Sequence, residues 1–106
     1  MMDSRPKTAE AYAALVQQAI YELEDIIEAA NFDIDEIDPN LEYVAVLLRE
    51  LRAMRASMRD GSYLFGRQDL PMMRVVKQHS ENDLPCIKLL YDINQTHRLG
   101  LDINTD

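Results

Sequence analysis

Apolar positions along this chain recur at steps of three and four, and that period predicts helices almost throughout. From about Pro6 to Ala30, the residues Tyr12, Val16, Ala19, Leu23, Ile26 and Ala30 form one stripe, the mark of a long helix with one buried face. A second stripe, Val44, Leu47, Leu51, Met54 and Met58, runs to about Asp60, with Gly61 placed as its C-terminal stop. Asp38-Pro39, an N-cap followed by a first-turn proline, predicts where that second helix begins. Asp69-Leu70-Pro71 opens a short helix to about His79. Asp83-Leu84-Pro85 opens a fourth, which carries Ile87, Leu90, Tyr91, Ile93, Asn94 and His97 on or near its inner side and stops at Gly100.

These blocks predict an all-α fold, an antiparallel four-helix bundle in which a long N-terminal hairpin is crossed by two shorter C-terminal helices. One helical domain is expected over residues 1–106, with 1–5 and 101–106 fraying. The link from Asn31 to Asp38 alternates acidic and apolar residues and reads as a loop with anchoring side chains. At 1.5 Å per residue the first two helices would be about 33 to 38 Å long and the third about 17 Å. Such a mismatch would leave apolar hairpin surface for another chain to cover. The first half of helix two adds to this, since Tyr43, Val46 and Leu47 belong to a six-residue apolar run, Tyr43 to Leu48, that circles the helix. Tyr43, Val46 and Leu47 are therefore the expected self-association residues, and a homodimer is the expected assembly.

Charge narrows the choice of partners. Eleven lysines and arginines stand against nineteen aspartates and glutamates, and a net charge of -8 repels nucleic-acid backbones and anionic membrane surfaces. No apolar run approaches the roughly 18 residues of a membrane span, and MMDSRPKTAE carries no apolar leader core, so a cytoplasmic protein is expected. The charge is also unevenly placed. Eight carboxylates fall between Glu22 and Asp38, whereas Arg49, Arg52, Arg55 and Arg59 lie within a sector of about 120° on helix two, beside its core stripe. Guanidinium forks bind carboxylates and phosphates in pairs, so this flank, together with the outward-facing Tyr21, is the candidate surface for a protein partner. The simpler expectation is that Glu22, Glu24, Asp25, Glu28, Glu42, Glu50 and Asp60 pair with the arginines inside the fold.

Candidate chemistry is sparse. Cys86 and His97 share a helical face but are separated by about 16 Å along the axis, too far for a nucleophile and its base or for one metal. His79 approaches Cys86 only across a turn. Gly61 and Gly66 have the spacing of P-loop glycines, but Arg67 and Gln68 replace the lysine and hydroxyl residue. An EF-hand register started at Asp33 puts Asp38 where glycine belongs and Val44 at the twelfth position. Asn94-Gln95-Thr96 is a glycosylation sequon in form only, since it lies within a predicted helix. Met54, Met58, Met72 and Met73 fit core filling, and Tyr63, Leu64 and Phe65 are expected to fold back as a plug. The resulting expectation is a non-enzymatic interaction module without cofactor or metal, self-associating and acting as an adaptor or regulatory subunit. An acidic mimic of nucleic acid is the alternative, and a small-ligand binder or small enzyme the third.

Overall fold

The computed structural model describes residues 5–29 and 41–102, and all the regular structure among them is helical. Four helices follow one another: α1 (Ala9–Ala29), α2 (Glu42–Asp60), α3 (Met73–Val76) and α4 (Ile87–Leu99). Helix α1 starts at Ala9 rather than Pro6 because Thr8 caps it, its hydroxyl accepting the Ala11 N–H at 3.0 Å. At the other end of the hairpin Gly61 takes a left-handed φ of 81°, and its N–H closes on the Ser57 carbonyl. The N–H groups of Ser62 and Tyr63 bond the same carbonyl, which turns the chain sharply out of α2. Asp38 and Pro39, the expected start of α2, lie outside the described residues.

Helices α1 and α2 run antiparallel, since Glu24 near the end of α1 pairs with mid-α2 Arg52 while Tyr12 near its start meets Tyr63 just past α2. The predicted stripes are the ones that pack. Tyr12, Val16, Ala19 and Leu23 of α1 meet Val44, Leu47 and Leu51 of α2, and Leu90 and Ile93 of α4 complete the same core. Helix α3 is shorter than expected. Around its four α-helical residues the chain closes through three-residue steps, Met73 N–H to Leu70 O and His79 N–H to Val76 O among them. Its turns still bury Met72, Met73 and Val76.

Helix α4 begins at Ile87, two residues past Pro85, and Asp83 bonds His79 at 3.4 Å instead of capping it. Leu101 and Asp102, expected to fray, are tied back: Leu101 packs against the core and the Asp102 N–H donates to the Pro6 carbonyl at 2.9 Å. Arg5 reaches the Gly100 carbonyl as well, so the two ends of the described chain meet. No helix among the described residues is long and apolar enough to cross a membrane.

Candidate functional site

Three elements meet where α1 begins and α2 ends. The first turn of α1 supplies Glu10, Tyr12 and Ala13, the last turns of α2 supply Arg55 and Met58, and the loop after Gly61 supplies Tyr63 and Phe65. Together they bound an open cleft of about 340 Å³. Tyr12 stands on the core stripe of α1 and is 2% exposed, because Phe65 stacks almost parallel on its ring at 5.7 Å and Tyr63 meets it edge-on. Tyr63 also meets Phe65 edge-on at 5.2 Å. The three rings form a wall that a loop of Gly-Ser-Tyr-Leu-Phe-Gly builds against a helix.

Behind the wall runs a chain of hydrogen bonds. The Tyr12 and Tyr63 hydroxyls lie 2.8 Å apart, Tyr63 Oη lies 2.6 Å from His97 Nδ1, and the Tyr12 hydroxyl reaches the Ile93 carbonyl at 3.2 Å. Every group in this chain keeps a partner in either direction. A protonated His97 donates to Tyr63, which donates to Tyr12, which donates to Ile93 O; a neutral His97 with Nδ1 bare accepts from Tyr63 instead. Burial pushes the His97 pKa down and both tyrosines up, Tyr63 despite the opposing pull of its bond to Tyr12. Gly66 is required beside this group: a Cβ there would sit 2.8 Å from His97 Nε2. Its N–H donates to the His97 carbonyl at 3.2 Å, which pins the loop to α4.

The loop's far end is held by a second polar knot. Asn94 is buried on α4, its Oδ1 accepts the Leu70 N–H at 2.7 Å and its amide donates to Asp69 at 3.0 Å. Lys77 and Arg98 flank the Asp69 carboxylate at 2.9 and 3.5 Å. The Lys77 bond, followed by that from Asn94, holds the carboxyl below its ordinary range.

The arginines of α2 have separate fates. Arg52 pairs with Glu24 at 2.8 Å, both exposed, so internal pairing accounts for one of the four. Arg49 and Arg59 are exposed and make no ion pair among the described residues. Arg55 is half-buried in the cleft, and its Nε is shielded from water with no hydrogen-bond partner among the described residues. Tyr21 is 59% exposed on α1, about 12 Å by helical rise beyond Ala13 of the cleft. Of the loop residues expected to form a plug, Tyr63 does so, while Leu64 is 80% exposed and Phe65 46%.

The expected self-association residues have different surroundings. Leu47 is wholly buried in the protein's own core and has no surface to offer a second chain. Tyr43 is occupied too, stacked on His79 at 4.0 Å with its hydroxyl donating to the Asp83 carbonyl at 2.8 Å. Val46 is half-buried. Val44, Leu47 and Leu48 of this half of α2 are buried in one core with α1 and with Met72, Val76, Leu84 and Leu90 of the same chain.

Cys86 is buried, and desolvation foremost raises its thiol to about 11, so it stays protonated at neutral pH. His79 is engaged by Tyr43 and Asp83. Among the described residues no three His, Cys, Asp or Glu side chains are grouped to hold a metal. Sequence reasoning missed the Tyr12-Tyr63-His97 chain. Its one signal was a tyrosine on a core stripe, whose hydroxyl had to find a partner. Comparison with family models, curated protein sequences and solved structures finds no match to this chain.

Proposed function

We propose that this protein is a non-enzymatic protein-protein interaction module, an adaptor or regulatory subunit built as a helical bundle, whose contact face is the cleft between α1, α2 and the 62–66 loop. The observation that carries the reading is a convergence: exposed Phe65, beside exposed Leu64 in the loop, lines the same cleft as a half-buried guanidinium whose Nε lacks a partner among the described residues. Interface centres favour such a pairing of aromatic rings with arginine, because rings contribute area at small entropic cost and a guanidinium binds carboxylates in a fixed geometry. The protonated state of Cys86 and the internal commitments of His79 and His97 favour binding over nucleophilic chemistry. A cytoplasmic location accords with this reading.

Tagged protein should capture its partner from native lysate, and the double variant Arg55→Gln with Phe65→Ser should lose most of that capture while keeping its helical circular dichroism. Equal capture by wild type and a folded variant would remove this face from the proposal. Replacing Tyr21, exposed near the middle of α1, by serine serves as the comparison.

A further inference from the structure

Resting on the interaction-module reading, we propose that the cleft is a self-docking site whose occupant is the acidic-apolar segment around residues 32–35 of a second copy of this chain. Two observations select that occupant. The first is complementarity. Arg55 lines the cleft beside Tyr12, Met58 and Phe65, and exposed Arg59 stands one helical turn further along α2, about 6 Å by the rise of a helix. In Phe32-Asp33-Ile34-Asp35 apolar and acidic residues alternate, and alternate positions of an extended stretch are about 6.8 Å apart. Bound in that form, Phe32 and Ile34 would face the aromatic wall and Asp33 and Asp35 the two arginines. Glu10 on the opposite wall sets the side on which the carboxylates do not lie.

The second observation is reach, which excludes docking within one chain. The cleft lies at Ala13, and α1 carries the chain about 24 Å away to Ala29. Phe32 follows three residues later, a span of at most about 11 Å. Phe32 therefore cannot reach the aromatic wall of its own copy. In each copy the cleft lies at the start of α1 and the segment follows the end of α1 in sequence, so two hairpins laid side by side in opposite directions would bring both segments to both clefts. The contact is self-complementary and closes as a two-fold dimer.

The test is a charge exchange in the full chain, read by sedimentation equilibrium or light scattering. Wild type should dimerise at micromolar concentration, and the dimer should weaken with salt. One variant, Arg55→Glu with Arg59→Glu, makes the cleft acidic; the other, Asp33→Lys with Asp35→Lys, makes the segment basic. Each alone should weaken the dimer at least tenfold, and an equimolar mixture should restore a heterodimer, because each cleft then meets a segment of opposite sign. A wild type that stays monomeric at 100 micromolar (roughly a hundred times a micromolar Kd), or a dimer indifferent to the segment variant, overturns the proposal. Should the cleft variant lose its helical signal, the segment variant decides by itself. A monomeric wild type whose partner capture still depends on Arg55 and Phe65 would overturn self-docking and leave the interaction module standing; capture indifferent to them would remove both.

Discussion

Single residues show where the fold holds groups against their preference. Glu50 is half-buried beside Leu51, Met54, Leu70 and Met72, its Oε2 has no partner among the described residues, and desolvation raises its pKa. A carboxyl with a raised folded pKa costs stability once ionised, so stability falls as pH rises from the ordinary value of 4.5 through the raised one. Glu50→Gln should therefore raise the stability at pH 7, read from thermal melts, by no more than about 1 kcal/mol because part of the carboxyl stays in water, and should give no gain below the ordinary pKa. His97 has the opposite sign. Its folded pKa is lowered by burial, so its contribution is complete above the ordinary 6.5 and is lost as pH falls from there through the depressed value. Thermal melts between pH 8 and 5 should show a larger loss for wild type than for His97→Gln, whose amide bears no titrating proton. Equal slopes would mean that His97 protonates as easily folded as unfolded.

At the scale of elements, the loop from Ser62 to Leu70 is ordered by α4 rather than by its own sequence. Asn94 is the anchor, satisfying the Leu70 N–H and bonding Asp69 in one geometry. Asn94→Ala should cost about 1 to 3 kcal/mol, the penalty of leaving buried polar groups unpaired. Hydrogen exchange should then show the Leu70 amide deprotected while α1 and α2 amides keep their protection; a loop as protected as before would assign the anchoring to Gly66 and His97 alone. The helices themselves were legible from period and punctuation. Val44, Leu47 and Leu51 face inward as their spacing requires, and Gly61 ends α2 because only glycine enters the left-handed region without penalty. Helix α3 was over-read because three-residue closures and four-residue helix share the same proline start and apolar spacing.

For the whole molecule the question is which apolar surface remains open. Val44, Leu47 and Leu48 of the hairpin are buried in the chain's own core, and among the described residues the exposed large apolar side chains are Tyr21, Leu64, Phe65, Tyr91 and Leu99. A dimer made through the cleft makes stability depend on concentration, since each copy stabilises the folded state of the other by mass action. The melting midpoint of wild type should rise between 2 and 200 micromolar, a hundredfold range that yields about 1.4 kcal/mol of free energy per decade of concentration. The Asp33→Lys, Asp35→Lys variant should show a flat midpoint.

By itself the sequence determined the helical class, the inward stripes, the stop of α2 at Gly61 and the crowding of acids and arginines into separate stretches, because each follows from spacing along one helix or from local backbone preference. Only the tertiary structure decided that Leu47 and Tyr43 are spent inside the fold, that Arg52 meets Glu24 while Arg55 keeps an Nε unpartnered among the described residues, and that Tyr12, Tyr63 and His97 join in one chain of hydrogen bonds. Those contacts join residues 28 to 51 positions apart. Their geometry depends on how helices cross and where a loop returns, which no period along the chain encodes.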